Sequence, residues 1–267
     1  MSAFWLGYLG LGMAAGFVAG LFGVGGGLFL VPLLHVLLVF EGVAAEQVLH
    51  VALGTAMAAI VFSSVASLRA HHRHGAVRWD VFRNMAPGLL AGTFGGSLFA
   101  ASVPARPLAL TFSCFVYFAS VQMLLDLKPR PGRALPGRPG LLAVGALIGA
   151  ASSLVAAGGG FLSVPFMVAC NVAIHQAVGT SAALGLPIAA AGAIGYMVAG
   201  QGVPGIPGMS VGYVYLPALV GVVSMSMLTA PMGARLAHKL PVKPLKRAFG
   251  VLLAVLASRM LYKVLLS

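Results

Sequence analysis

Residues 23–32 of the chain read GVGGGLFLVP, and residues 157–165 read AGGGFLSVP. Gly25 to Gly27 correspond to Gly158 to Gly160, and Pro32 corresponds to Pro165, at a constant offset of 133 residues (165 − 32). Both copies lie inside long apolar stretches. Because glycine costs about 1 kcal/mol relative to alanine in a helix interior, three in succession predict a helix break. Breaks inside a membrane need protein, water or a ligand around the freed backbone, and paired breaks in two halves indicate a transporter's binding site.

The composition predicts that the chain lies in a membrane. Apolar residues make up 60% of the chain and charged residues 7%, with a mean hydropathy of +1.02. Soluble globular chains carry about 25% charged residues. Successive apolar runs of about 20 residues can cross a hydrocarbon core of ~30 Å. We therefore predict an all-α polytopic membrane protein that resides in the lipid bilayer, and we expect no cleaved signal peptide because no basic region precedes the first run.

The charged residues favour an anion as the transported partner. The formal net charge is +12 and the basic residues gather in short loops, which the positive-inside rule explains without a nucleic-acid partner. The same field would attract an anionic substrate. We expect no carboxylate relay and no basic side chain in the middle of an apolar run. Cys114 and Cys170 are predicted to be small buried residues, and no metal site is predicted.

A basic, proline-rich linker separates two halves. We predict a first transmembrane repeat over residues 1–127, the linker over 128–140 and a second repeat over 141–267. Each half has four apolar runs, which predicts about eight transmembrane helices with the first of each half broken at its glycines. The runs cover 4–40, 48–68, 81–101 and 108–125, and then 141–170, 177–199, 214–236 and 245–266. The histidine-rich stretch 69–83 is expected to be a loop.

Three further blocks recur in the same order in both halves. Residues 50–56 (HVALGTA) align with 175–181 (HQAVGTS), 104–108 (PARPL) with 241–245 (PVKPL), and Pro87 with Pro217. Four blocks in one order predict a duplication. The halves are parallel if each makes an even number of crossings and inverted if the number is odd. Only the inverted arrangement puts all basic loops on the cytoplasmic side, and we therefore predict inverted repeats.

At these residues the sequence resembles the sulfite exporter family, TauE/SafE. The resemblance rests on the two glycine runs with their prolines, the repeated Gly-Thr-[Ala/Ser] blocks, and Gly75-x-Val77-x-Trp79 after the basic stretch. It covers nearly the whole chain. It implies a multi-pass transporter of the bacterial plasma membrane for small anions, often sulfite, sulfonates or related organosulfur compounds. The halves differ where the first has Ala56 and the second has Ser181, so the two half-sites are not chemically equal.

The glycine runs are the candidate substrate site. Helices that restart after a break present unpaired N–H groups and a partly positive end, which suit an anion. The residues are Gly25, Gly26, Gly27, Gly158, Gly159 and Gly160. The alternative is close helix packing through small residues. Nucleotide binding is excluded because no βαβ pattern surrounds the glycines.

Hydroxyl side chains near the breaks could donate hydrogen bonds to an oxyanion. The candidates are Thr55, Thr180, Ser181 and Ser163, with weaker signals from Ser152 and Ser153. The alternative for each is a hydrogen bond to a carbonyl one turn earlier in its own helix. His50 and His175 recur in register and could couple transport to protons, or they could be interfacial residues near helix ends.

The sequence predicts a secondary transporter and not an enzyme, because it lacks the motifs of hydrolytic and metal-dependent enzymes. The predicted substrate is a small oxyanion, sulfite or another sulfur anion, moved by alternating access. An anion channel and an integral-membrane accessory or assembly protein stay as alternatives. No tightly bound cofactor is expected. The coupling proton or ion, the direction of transport and the oligomeric state stay open.

Overall fold

The computed structural model describes residues 2–22, 26–125, 132, 134–237 and 242–266. These residues form ten helices and one two-stranded antiparallel hairpin. In chain order they are α1 (Ser2–Phe22), α2 (Gly27–Phe40), α3 (Ala45–Arg73), α4 (Trp79–Ser102), α5 (Ala105–Leu124), α6 (Arg138–Val155), α7 (Gly160–Ala169), α8 (Ile174–Ala199), β1 (Ser210–Val211), β2 (Val214–Tyr215), α9 (Leu216–Ala237) and α10 (Val242–Leu266).

Five of the described helices are long and apolar enough to cross a membrane. They are Ala45–Arg73, Ala105–Leu124, Arg138–Val155, Ile174–Ala199 and Leu216–Gly233. Shorter apolar helices accompany them at Phe4–Ala19, Gly27–Phe40 and Gly160–Ala169. The prediction of an all-α, multi-pass membrane protein is therefore confirmed.

Helices α3 and α8 form the antiparallel centre of the molecule. In the most apolar 18-residue segment of each helix, 78% of the segment is buried in α3 and 61% in α8, against 28–39% in the other candidate spans. A Cβ atom on Gly54 would lie 3.1 Å from Tyr196 Cβ. Cβ atoms on Gly192 and Gly185 would lie 3.1 Å from Met57 Sδ and 3.2 Å from Ser64 Oγ, respectively. Residue numbers fall along α8 as they rise along α3, so the two helices run in opposite directions.

Glycines bring α4 and α6 into backbone contact. Gly88 faces Leu142 and Gly92 faces Ala146, and a Cβ atom at either glycine would overlap the carbonyl oxygen opposite. The four-residue step is the same on both helices, so they run parallel. Small residues at this spacing let two helix backbones approach closely inside a membrane.

Helices α1 and α9 pack in the same way. A Cβ atom on Gly12 would lie only 2.5 Å from the Val222 carbonyl oxygen. The Thr229 hydroxyl donates to the Met13 carbonyl oxygen at 2.9 Å. The first helix on each side of the linker therefore packs on a helix from the other side.

Loop contacts assign the helix junctions to two opposite ends of the molecule. A Cβ atom on Gly205, in the loop after α8, would lie 3.2 Å from the Ala44 side chain beside the α2–α3 junction. At the other end of α3, Ala76 lies against Gly179, near the start of α8. The α2–α3 and α7–α8 junctions are thus on opposite ends.

Four details of the sequence prediction need correction. Each broken run forms two separate helices, so five helices and not four lie on each side of the linker. Helix α3 continues into the predicted loop as far as Arg73, and α4 already begins within it at Trp79. Basic side chains in the last turn of α3 complement the negative end of its dipole. Cys114 is exposed, although Cys170 is buried. Arg259 lies inside α10, where we expected no basic side chain. Residues 128–131 and 133 of the predicted linker lie outside the described part of the chain, and its last three residues, 138–140, already belong to α6.

Candidate functional site

The helix breaks at both glycine runs, as predicted. Gly26 adopts φ 69° immediately before α2 begins at Gly27. In the second run Ala156 follows the end of α6 with φ 48°, and Gly159 has φ 32° just before α7. These left-handed conformations turn the chain out of one helix and into the next, and they favour glycine. Gly25 lies outside the described residues.

The two breaks lie against each other. A Cβ atom on Gly27 would overlap the carbonyl oxygen of Ala156 and lie 2.7 Å from Ile60 Cδ1. Only glycine fits at this position without movement of the backbone opposite. The start of α2 and the end of α6 therefore meet beside α3, although about 130 residues separate the two breaks in the sequence.

The second break rests on α8 through buried serines. A Cβ atom on Gly159 would lie 3.2 Å from the Ser181 carbonyl oxygen and 3.3 Å from the Gly185 nitrogen. The Ser163 and Ser181 hydroxyl oxygens are 3.0 Å apart, and Ser163 donates to the Gly159 carbonyl oxygen. Ser181 must then donate to Ser163. To bind here, an anion would have to accept the hydrogen bonds that these two hydroxyls now donate to other oxygen atoms.

Ser152 supplies a hydroxyl that is not engaged within the described part of the chain. Its side chain is fully buried in the last turn of α6, and its oxygen has no hydrogen-bond partner there. The neighbouring Ser153 hydroxyl instead donates to Ala150 at 2.7 Å, the local hydrogen bond usual for serine in a helix. The sequence made Ser152 only a weak candidate. Its position four residues before Ala156, one helical turn before the second break, was the signal that could have ranked it higher.

Gly158 and Gly160 shape the entry into α7. The Gly160 N–H donates to the Gly158 carbonyl oxygen, and a Cβ atom on Gly160 would lie 3.8 Å from the Ser181 hydroxyl. The structure thus brings together Gly158, Gly159, Gly160, Ser163 and Ser181, with Gly26 and Gly27 across the contact at Ala156.

Thr55 and Thr180 hold backbone segments that precede later helices. The Thr55 hydroxyl oxygen accepts the Tyr215 N–H at 3.0 Å, and the Thr180 hydroxyl oxygen accepts the Arg78 N–H at 2.9 Å. Both threonines are fully buried. The acceptors and donors come from opposite sides of the linker. Because each hydroxyl accepts here, its own hydrogen is still there to be donated. A role in substrate binding therefore stays a prediction, in addition to the structural role of holding the backbone.

The glycine before each threonine completes the same contact. A Cβ atom on Gly54 would lie 2.6 Å from the Tyr213 carbonyl oxygen, and one on Gly179 would lie 2.5 Å from the Ala76 carbonyl oxygen. In both cases the carbonyl belongs to the residue two positions before the donated N–H. We name these two arrangements the Gly-Thr contacts. In each half the Gly-Thr dipeptide therefore packs against, and accepts a hydrogen bond from, a backbone segment of the other half.

The two repeated histidines lie in different surroundings. His50 is buried, its ring nitrogens are each 3.1 Å from a carbonyl oxygen, of Glu46 and of Val103, and its ring stacks on Tyr213 at 5.2 Å. Burial raises the pKa of the Tyr213 hydroxyl, so the tyrosine ring stays uncharged. His175 is exposed at the start of α8. A role in proton coupling stays a prediction for both, and His50 has contacts through which a change in charge could act on its neighbours.

Glu41 is a polar centre that the sequence did not single out. Its carboxylate accepts hydrogen bonds from the hydroxyls of Tyr8 and Tyr215, the latter at 2.7 Å. Burial is the larger cause, and the hydrogen bond to Glu41 the second cause, of a raised pKa of Tyr215, so its hydroxyl stays protonated and remains a donor. The carboxylate thereby joins α1, the end of α2 and β2. The available signal in the sequence was that acidic residues are scarce, since the chain has only four of them.

The histidine-rich end of α3 shows no metal geometry. His72 packs edge-on against the Trp79 ring at 5.4 Å. Among the described residues no three His, Cys, Asp or Glu side chains are grouped as metal ligands would be.

Known proteins similar to this chain are described as membrane transporters. The family described as "Sulfite exporter TauE/SafE" matches residues 8–260. A "Probable membrane transporter protein" of Haemophilus influenzae is 38% identical over 254 residues, covering 95% of this chain and 96% of that protein. The "Probable membrane transporter protein YdhB" of Bacillus subtilis is 26% identical, covering 92% and 96%. No solved structure matches. The chain therefore belongs to the TauE/SafE family of membrane transporters, and it is not an enzyme.

Proposed function

We propose that the protein is a secondary transporter that moves a small oxyanion, sulfite or another sulfur anion, across the bacterial plasma membrane by alternating access. The observation that carries the proposal is the meeting of the two glycine breaks, where Gly27 lies against the Ala156 carbonyl oxygen. Paired discontinuous helices are the usual site of substrate binding in secondary transporters. The family description supplies the sulfur anion as the first candidate substrate.

Residues 1–127 and 141–267 are proposed to be inverted repeats. Support comes from α3 and α8, which carry the matching HVALGTA and HQAVGTS blocks and run in opposite directions. The repeat makes α1 equivalent to α6, and α4 equivalent to α9. The packing of α1 on α9 therefore has its counterpart in the packing of α6 on α4, while α3 packs on its own equivalent α8 and α5 on its own equivalent α10. Helices α2 and α7, of 14 and 10 residues, are too short to cross a ~30 Å core, so each broken run is proposed to fold back as a hairpin. Each repeat then crosses the membrane three times, the odd number that inversion requires.

The proposed binding chemistry uses neutral donors. Some first-turn N–H groups already donate to the carbonyl oxygens before each helix, as Leu30 does to Gly26 and Ser163 to Gly159. The remaining first-turn N–H groups, at the positive ends of the α2 and α7 dipoles, are the proposed donors. The hydroxyls of Ser152, Ser163 and Ser181 lie beside the second break. Hydrogen bonds to a charged group contribute about 1.5–3 kcal/mol each, so three or four can offset much of the cost of removing an anion from water.

The Gly-Thr contacts are proposed to be the two closures of alternating access. Thr55 joins α3 to the start of α9 at one end of the molecule, and Thr180 joins α8 to the start of α4 at the other. Opening the site to either side would separate one contact and keep the other. The symmetry of the two contacts supports a rocking motion of one repeat against the other.

The function is tested by flux into liposomes that contain the purified protein. We expect saturable uptake of sulfite, with thiosulfate, sulfate, sulfonates and carboxylates as competitors, and we expect counterflow from preloaded vesicles. Flux that does not saturate and shows no counterflow would support the channel alternative. Absence of flux for every anion would contradict the transporter proposal and favour the accessory-protein alternative.

The inverted arrangement is tested by labelling of introduced cysteines. Single cysteines at Arg73 and Gly202, in a background without Cys114 and Cys170, should report opposite sides of the membrane. We expect position 73 to be cytoplasmic, because of its basic neighbours, and position 202 to be periplasmic. Reports from the same side would contradict the proposed arrangement of the ends.

A further inference from the structure

A cleft of about 190 Å³ opens between α2 and α10, away from the glycine breaks. Its walls include Pro32, His35 and Phe40 from α2, and Leu256, Arg259 and Tyr262 from α10. His35 lies eight residues past Gly27, which is about 12 Å along the helix at 1.5 Å per residue. The cleft is therefore a separate place on the molecule from the contact between the two breaks.

Arg259 carries a positive charge inside helix α10, seven residues before the last residue of that helix. The twelve residues from Arg247 to Arg259 span about 18 Å along α10, which is far less than a hydrocarbon core of ~30 Å. In the proposed inverted-repeat arrangement α10 crosses the membrane, so at least one of the two arginines lies within the apolar layer or extends its side chain out of it. Charged residues inside membrane helices are costly, and they generally mark a pathway or a binding site.

None of the described residues that line the cleft is acidic. The residues that line it include no Asp or Glu, and the one ion pair among the described residues joins Arg78 to Asp80. The mouth is aromatic, because Phe40 is 70% exposed and Tyr262 is 69% exposed. Exposed aromatic side chains are typical of the membrane interface, where lipid phosphates also lie.

We propose that this cleft binds an oxyanion through the Arg259 guanidinium, with the His35 ring as a second wall of the site. The planar guanidinium donates two parallel hydrogen bonds to a phosphate or sulfonate group, a geometry that lysine cannot supply. Tyr262 lines the same cleft and is exposed at its surface. The oxyanion is the phosphate of an anionic lipid or a free sulfur anion; only the second source rests on the proposed transport function.

A fluorescent reporter at the mouth of the cleft distinguishes the two sources. Tyr262→Trp, made together with Trp5→Phe and Trp79→Phe, gives the full-length chain a single tryptophan beside Arg259. The protein is placed in bilayers that contain brominated phosphatidylglycerol or brominated phosphatidylcholine, which quench tryptophan on contact. We expect a preference of about fivefold for phosphatidylglycerol, equivalent to the ~1 kcal/mol that a basic residue gains near an anionic lipid.

Arg259→Gln should abolish this preference, whereas Arg247→Gln, at the other end of the same helix, should leave it unchanged. If sulfite or inorganic phosphate reverses the quenching by the lipid, the cleft also accepts free oxyanions. If either anion changes the fluorescence without a lipid preference, the free anion is the ligand.

Equal quenching by both lipids, with no response to either anion, would overturn the proposal. An Arg259→Gln protein that behaves as its parent in all arms would do the same. None of these signals requires transport, so failure here leaves the proposed function untouched, and loss of flux leaves the cleft untouched.

Discussion

Replacing Thr55 with valine should destabilise the protein by removing the acceptor of a buried hydrogen bond. Valine keeps the shape of threonine, but the buried Tyr215 N–H loses its partner at 3.0 Å. An unsatisfied buried donor costs about 1–3 kcal/mol. Because 1.4 kcal/mol is a factor of ten, the folding equilibrium should shift by about 5- to 140-fold. Thr180→Val should behave in the same way, since it removes the acceptor of the Arg78 N–H.

The assay is equilibrium unfolding of the purified variants in detergent micelles. Thr111→Val is the matched control, because the Thr111 hydroxyl is exposed and donates only to Pro107 within its own helix at 3.0 Å. A surface substitution of this kind should lie within about 0.5 kcal/mol of the parent. Thr55→Ser keeps the acceptor oxygen and should recover most of the loss.

One result would refute the structural role of the Gly-Thr contacts. If Thr55→Val is as stable as Thr111→Val and yet binds sulfite more weakly, its hydroxyl serves the substrate and not the backbone of the other half. Loss of stability in Thr55→Val alone would show that the contact at Thr180 does not contribute equally.

Two further substitutions test the packing. Gly92→Ala places a Cβ atom on the carbonyl oxygen of Ala146, so it should lower the thermal unfolding midpoint, whereas Gly95→Ala, with nothing within 4 Å, should not; equal midpoints would contradict the close approach of α4 and α6. Glu41→Ala leaves two tyrosine hydroxyls without their acceptor and should destabilise by about 1.5–3 kcal/mol. Glu46→Ala, at an exposed site, should be neutral, and an equal loss in both variants would remove any special role for Glu41.

Much of the fold was predictable because the decisive signals are local. Three glycines in an apolar run are incompatible with an uninterrupted helix, and left-handed Gly26 and Gly159 show the expected breaks. Loop charge likewise favoured inversion, which stays a prediction. The exact ends of helices were less predictable, as for α3, since a basic last turn can be either loop or helix.

The roles of individual side chains were harder to predict because they depend on distant partners. Thr55 meets a backbone group 160 residues away, and no local pattern distinguishes such an acceptor from a substrate ligand. Glu41 was overlooked, and Ser152 ranked low, for the same reason. Arg259 was visible in the sequence, but its neighbour His35 comes from the other half of the chain, so the shared cleft appears only in three dimensions.

Sulfite flux through Gly27→Ala in liposomes tests the central claim most directly. The added Cβ atom falls on the Ala156 carbonyl oxygen, where the two breaks meet, whereas Gly10→Ala, with nothing within 4 Å, adds the same methyl group in open space on α1. With folded protein of both variants confirmed by size-exclusion chromatography, we expect Gly10→Ala to transport at the parental rate and Gly27→Ala to lose most of its flux. Parental sulfite flux in Gly27→Ala would contradict a substrate site at the paired glycine breaks.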